Sequence, residues 1–322
     1  MPEGHTVHRV ARHFRDEFVG HAVFVSSPQG RFAEGARSLD EHTIVDATAV
    51  GKQLFVTFDH GLVMRVHLGI YGAWTFISRA RHHSIGAPRA HREEGLSESE
   101  ADVFPPEPVG QVRVRIATDE VVADLRGPTA CEVIDRDEAK AIRASLGPDP
   151  LVDGTVTGLK RFRERMMATR TPVALALMNQ NVVAGIGNVY RAEILFRHRL
   201  DPYAPANSLP SDVLDALWKD WGVLLKDGVK TGVMRTRSDL TAAQRTRSLR
   251  DSRIRYYAYK RQGKPCRVCH NPVALAEMAS RKLYYCPHCQ VGPHHEKIEF
   301  QRDSSTRGTT GPPRVRTRRH AA

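Results

Sequence analysis

Four cysteines dominate the chemistry open to this 322-residue sequence. They form two Cys-x2-Cys pairs, Cys266 with Cys269 and Cys286 with Cys289, with sixteen residues between the pairs. Zinc takes four soft ligands in a tetrahedron. Each pair supplies two thiolates on one turn, and the stretch between them has the length of a β-hairpin. Four thiolates leave no open coordination position, so one structural zinc per chain is expected, with no organic cofactor. A redox Cys-x2-Cys is the competing reading of either pair. Arg281 lies in the expected hairpin, consistent with a compact finger that presents a cation. The fifth cysteine, Cys131, stands alone in an apolar segment and reads as a small buried residue.

The chain opens Met1-Pro2-Glu3-Gly4-His5. A small second residue permits removal of the initiator methionine, which would leave Pro2 as a secondary amine. An α-amino group titrates at about 7.7–8.0, so much of it is neutral near pH 7. A neutral amine can attack a sugar C1′ or an aldehyde and form an iminium, and a carboxyl beside it, here Glu3, can carry protons. Pro-Glu at a chain start is also a common and inert pair.

A third constellation is Gly185-Ile186-Gly187-Asn188-Val189-Tyr190-Arg191. Glycines let backbone approach a phosphate, and a helix starting near Asn188 would offer free N–H groups to an anion. A bare inter-helix turn would use the same residues. Gly51-Lys52, at the start of a strand, and Arg126, at the end of another, carry no assignment alone. The lysine reads equally as solvated and the arginine as an ion-pair residue.

Several elements must position these groups. Thr6 to Gly20 has the spacing of an amphipathic helix, with Val7, Val10, Ala11, Phe14 and Phe18 on one face and Thr6 as its cap. From there to about 135 the pattern is β. Leu54–Phe58 with Leu62–Leu68, and Val112–Ala117 with Val121–Leu125, read as hairpins of a sandwich or barrel. Residues 88–110, rich in Glu, Ser and Pro, read as a long mobile loop. Leu146-Gly147-Pro148-Asp149-Pro150-Leu151 marks a boundary. Helices are expected over Val173–Asn179, Val189–Arg199 and Ser211–Leu225, whereas the Arg/Ser-rich stretch 235–255 gives no clear pattern.

Charge divides the chain. Residues 1–150 hold 17 Lys+Arg against 22 Asp+Glu, and residues 151–322 hold 31 against 14. The second half is therefore expected to meet a polyanion. Nucleic acid is the commonest such partner, while polyphosphates, anionic membranes or a merely solvated basic surface give the same signal. No run of about 18 apolar residues exists, so no membrane partner is expected. The start lacks a basic segment followed by an apolar run, which points to the cytoplasm and its nucleoid.

Six separated motifs then agree in order: Met1-Pro2-Glu3-Gly4, Gly51-Lys52-x-Leu54, His67-Leu68-Gly69-Ile70-Tyr71-Gly72, Leu146-Gly147-Pro148-Asp149-Pro150-Leu151, Gly185-Ile186-Gly187-Asn188-Val189-Tyr190 and the four cysteines. From residue 2 to about 290 the sequence resembles the formamidopyrimidine-DNA glycosylase/endonuclease VIII family. The resemblance implies an α+β fold: an N-terminal β-sandwich with an N-terminal helix (1–145), a helix–two-turns–helix domain (146–262), a zinc finger (263–292) and a basic disordered tail (293–322). It implies a monomer that removes oxidised bases from damaged double-stranded DNA, with single strands an open alternative, and then nicks the strand. Pro2 would be the nucleophile on C1′ and Glu3 the acid/base. Lys52 would act at the lesion phosphate, and Asn188 and Arg281 would grip backbone phosphates. Ile70 and Tyr71 would fill the hole left by the flipped nucleotide, and Arg126 is counted with the DNA contacts.

Two departures from the family pattern matter. Thr6 stands where many members carry a second glutamate. The stretch 104–110, Phe104-Pro105-Pro106-Glu107-Pro108-Val109-Gly110, lacks the Arg–Phe wedge of the purine-directed branch. The Ile70-Tyr71-Gly72-x-Trp74 run is closer to the endonuclease VIII branch, which implies a preference for oxidised pyrimidines. Two rival readings are a catalytically silent reader of damaged DNA on the same scaffold and a zinc-finger transcription factor. Lyase activity on an abasic duplex separates the first, and sequence-specific binding would favour the second.

Overall fold

The first helix, α1 (Gly4–Glu17), begins two residues before the expected Thr6 and stops short of Gly20. It belongs to a computed structural model that describes residues 2–79, 81–87 and 104–292. Glu3, not Thr6, is the N-cap. Thr6 sits one turn in and its hydroxyl accepts the Glu3 N–H at 3.4 Å, so the residue in place of the second glutamate ties down the helix start. Val7, Val10, Ala11 and Phe14 are buried as the periodicity requires, and Phe18 is buried just past the helix end.

The β region is a sandwich of two antiparallel sheets. One contains β1 (Phe24–Ser26), β5 (Ala73–Ser78), β6 (Arg81–Gly86), β7 (Val112–Ala117) and β8 (Val121–Arg126), in the order β1-β7-β8-β5-β6. The other is β2 (Ile44–Val50), β3 (Gln53–Phe58), β4 (Val63–His67) and β9 (Ala130–Ile134), in sequential order. Both expected hairpins form, with Val56 opposite Met64 and Ile116 opposite Ala123. Period-2 alternation sends Leu54, Val56 and Phe58 inward to meet Trp74, Phe76, Val114 and Leu125.

Two helices in this half escape the hydrophobic pattern. The short α2 (Ala33–Leu39) buries only Ala36 and Leu39. The helix α3 (Arg136–Ser145) buries only Ala139, so its sequence shows no apolar stripe. Its start was nevertheless written in the chain, because Asp135 and Glu138 form a reciprocal capping box. Phe55 and Val63, on the outer face of the second sheet, pack with Ala139 and Leu146.

The second half is helical: α4 (Thr155–Met167), α5 (Val173–Ala176), α6 (Asn188–Arg197) and α7 (Ser211–Thr231). The helix expected over 173–179 is a single turn. The one expected to stop at Leu225 continues to a left-handed Gly232 at φ 78°. Stretch 235–255 is ordered, with α8 (Ala242–Arg247) capped by Thr241 and Gln244. The finger hairpin is β10 (Ala274–Met278) paired with β11 (Arg281–Tyr285). The segment 146–151 knits the halves together. The Gly147 N–H donates to Gln180 O at 2.7 Å and the Ala184 N–H to Pro148 O at 3.1 Å. Residues 88–103 of the acidic loop and the tail from 293 lie outside the described residues.

Candidate active site and nucleic-acid interface

The chain start and the glycine turn, 184 residues apart, meet. The Glu3 carboxylate is fully buried and accepts N–H groups from Gly187 (2.9 Å), Val189 (2.8 Å) and Tyr190 (3.3 Å). The anion at the start of α6, expected to be a phosphate, is therefore the protein's own carboxylate. The helix dipole and unpaired N–H groups suit either. The glycines give the approach its room. A side chain on Gly187 would overlap Glu3, and one on Gly4 would touch the Gly185 backbone. The Gly4 N–H donates to Gly185 O at 2.9 Å. Burial pushes the Glu3 carboxyl above its ordinary range, against the opposing pull of Lys52 and the three N–H groups.

Lys52 lies in the turn between β2 and β3 rather than on a strand. Gly51 adopts φ 58° there, and a Cβ on it would fall 2.7 Å from the Ala184 Cβ. Burial pulls the Lys52 ammonium below its ordinary value, Glu3 opposes this, and Arg281 adds to it. Lys52, Glu3 and Arg281 thus share one electrostatic neighbourhood, drawn from the first residues, the sandwich and the finger.

Asn188 and Arg191 fasten α6 to the finger. The Asn188 amide donates to Lys282 O at 2.9 Å, and Arg191 Nη2 donates to the same oxygen at 2.9 Å and to Asn188 Oδ1. Arg191 is fully buried, and its Nε and Nη1 have no hydrogen-bond partner. Burial first, and Arg281 second, bring it down to about 10.

Ile70 and Tyr71 stand on the β4–β5 loop, 52% and 68% exposed, large apolar surface facing solvent. Gly69 turns that loop at φ 64° where a Cβ would strike Thr129. Arg126 is placed differently. Its donors go to Val109 O (2.8 Å), Thr75 Oγ1 (3.1 Å) and Asp124 Oδ2 (3.1 Å), so it braces the sheet. In the 104–110 stretch Phe104 packs beside Ile77, Ala117 and Val122 with the Arg79 guanidinium over its ring, and it forms no projecting wedge.

Among the buried carboxylates that sequence reasoning missed are Asp149 and Glu193. Asp149 accepts from His8 Nε2 (2.8 Å), the Gly51 N–H (2.7 Å) and the Leu151 N–H (2.9 Å), fixing the turn that carries Lys52. Its signal was an acid between two prolines. Glu193 accepts the N–H groups of Tyr257, Ala258 and Tyr259 and the Thr236 hydroxyl. Its signal was a charge within the apolar run of α6.

The four cysteine sulfurs lie within 4.8 Å of one another, with Cys266–Cys289 at 3.9 Å and Cys269–Cys286 at 3.4 Å, and none forms a disulfide. A zinc ion bonded at about 2.3 Å to four sulfurs spaces them about 3.8 Å apart, so the set fits the ion. The Val268 N–H donates to Cys266 Sγ at 3.4 Å, which favours the thiolate.

Three family models match the chain in the order of these parts. They are the formamidopyrimidine-DNA glycosylase N-terminal domain over residues 1–131, its H2TH domain over 146–239, and the zinc finger found in FPG and IleRS over 263–291. Endonuclease 8 1 of Mycobacterium tuberculosis is 41% identical over 294 residues, covering 90% of this chain and all of that protein. A formamidopyrimidine-DNA glycosylase of Gluconobacter oxydans is 29% identical over 301 residues, covering 90% of this chain and all of its own. Among solved structures, a Lactococcus lactis FPG mutant in complex with a Fapy-dG containing DNA superposes with a TM-score of 0.67. At 20% identity it covers 90% of this chain and all of that one, and it supports the fold. Among the described residues no helix is long and apolar enough to cross a membrane.

Proposed function

We propose, proceeding from the fact that this chain belongs to the formamidopyrimidine-DNA glycosylase/endonuclease 8 family of DNA repair glycosylases, that it excises oxidised bases, pyrimidines ahead of purines, and then cuts the strand as an AP lyase. The observation that carries the reading is Glu3: a buried carboxyl, raised above its ordinary range, held by three N–H groups next to Pro2.

With Met1 removed, the neutral Pro2 amine attacks C1′ of an extruded nucleotide. The N–C1′ bond forms as the bond from C1′ to the base breaks, and the base leaves with a proton. Glu3, as the acid, protonates the sugar ring oxygen and the ring opens to an iminium. The iminium acidifies the C2′ proton, whose loss expels the 3′-phosphate. A second proton loss at C4′ expels the 5′-phosphate. Water then hydrolyses the iminium, freeing Pro2 and a sugar fragment and leaving a one-nucleotide gap with phosphate ends. Lys52 and Arg281 supply positive charge for the flanking phosphates. Asn188 meets the backbone with the amide hydrogen that it does not give to Lys282 O, and Ile70 and Tyr71 occupy the gap in the stack. Cys266, Cys269, Cys286 and Cys289 would hold a zinc ion at the base of the β10–β11 hairpin, where it would brace the strand that carries Arg281.

The pyrimidine preference rests on the single wedge and on Phe104 packing inward. Single-turnover excision should be faster on thymine glycol and dihydrouracil than on 8-oxoguanine, with little dependence on the opposite base. Fastest cleavage of 8-oxoguanine opposite cytosine, and slowest opposite adenine, would overturn the preference.

A further inference from the structure

A cavity of about 590 Å³ opens where α1, the end of β2, α3 and α4 meet the 147–153 turn. That volume is in the range of small-molecule sites. Pro2, Glu3, Lys52, Asn188 and Arg281 do not line it. Its walls carry Arg12 and Arg15 from α1, Arg143 from α3 and Arg161 from α4.

The charges on these walls do not balance. Arg161 is paired with Asp153, and His8 with Asp149. The other three arginines have no carboxylate within ion-pair distance among the described residues. Arg15 gives Nη1 to Ala47 O at 3.2 Å. Arg143 gives Nη2 to Thr48 Oγ1 at 2.8 Å, lies over the Phe55 ring, and keeps a buried Nε with no partner. Arg12 makes no hydrogen bond or ion pair among the described residues, and its repulsion adds to burial, the larger cause, in lowering the Arg9 guanidinium. Like charges gathered in a concavity cost free energy unless an anion joins them, and guanidinium forks match phosphate oxygens.

We propose that this cavity is a second anion site, which takes the polyphosphate of a free nucleotide. Its chemistry is that of phosphate, so the terminal 5′-phosphate of a DNA strand is the other source. A cavity of this size admits a polyphosphate tail more readily than a duplex, which favours the free nucleotide.

The test titrates tripolyphosphate into the full chain by calorimetry at one fixed ionic strength. One site per chain is expected. Arg12→Ala with Arg15→Ala should weaken binding at least tenfold, and both side chains are exposed enough to leave the fold intact. Arg245→Ala with Arg250→Ala removes the same charge elsewhere and should change binding less than twofold. ATP should compete. Absence of binding, equal weakening in both double variants, or an unaffected Arg12/Arg15 variant would overturn the site. Competition by a 5′-phosphorylated oligonucleotide but not by ATP would overturn the nucleotide assignment. No damaged DNA enters the experiment, so its outcome is independent of the excision chemistry.

Discussion

Alanine at position 187 tests the Glu3 clamp through a single methyl group. Gly187 has φ −122° and ψ −162°, an extended conformation open to any residue, so the backbone tolerates the change. The side chain does not. A Cβ built there falls 2.5 Å from Glu3 Cδ and 2.7 Å from both Cγ and Oε1. Ordinary carbon contacts are about 3.5–4.0 Å, so the carboxyl must retreat by about 1 Å. That retreat strains or breaks the bonds from Gly187, Val189 and Tyr190. Overpacking of this kind costs about 1–3 kcal/mol of stability, which the fold should survive. Misplacing a reacting group by about 1 Å costs on the order of 100-fold, or about 2.7 kcal/mol of barrier. The assay is single-turnover excision from a thymine glycol duplex, run beside nicking of a preformed abasic site and well below the variant's Tm. Excision should fall about 100-fold and abasic nicking much less, because an abasic sugar opens without an acid. Excision within threefold of wild type in a folded Gly187→Ala protein would refute the role of the clamp.

Further consequences concern the metal, the acid limb of stability and the wedge. Cys286→Ser should lose zinc and DNA affinity while the β-sandwich signal in circular dichroism survives; zinc-free protein from a chelator-free purification would contradict the site. Burial first, and Arg9 second, hold His5 down at about 3 against an ordinary 6.5. The folded state therefore keeps His5 neutral while the unfolded chain takes up a proton below pH 6.5. Stability should fall as pH drops from about 6.5 towards 3, with up to about 1.4 kcal/mol per pH unit from this group. His5→Gln should flatten that slope in urea titrations, and an unchanged slope would contradict the assignment. Ile70→Ala with Tyr71→Ala should impair excision from duplex more than nicking of a single-stranded abasic site, since only the duplex has a gap to fill; equal losses would remove the wedge role.

What was legible in the sequence was mostly local. Two hairpins, the long α7 and the cysteine pairs are written in neighbouring residues, so period and spacing revealed them. α3 was hidden because a helix that buries only Ala139 needs no apolar stripe, and only its cap betrayed it. The site was legible as a set of residues but not as an arrangement. Glu3 and Gly187 are 184 positions apart, and Gly51 and Asp149 are 98 apart, so no local pattern records that they touch. The glycine turn was read correctly as an anion seat, yet its occupant is a carboxylate from the chain start. Arg126 is legible as a cation at a strand end, but not its acceptors, since Val109 and Thr75 are 17 and 51 positions away in the chain.

The central claim is that the Pro2 nitrogen becomes bonded to C1′. Borohydride reduction of the reacting complex on a thymine glycol duplex converts an iminium to a stable amine, and the adduct can be located by proteolysis and mass spectrometry. The account predicts an adduct confined to a peptide that begins at Pro2, with Met1 absent, and its loss when an uncleaved tag precedes Pro2. Trapping on Lys52 or another internal lysine, or equal trapping by the tagged chain, would contradict it.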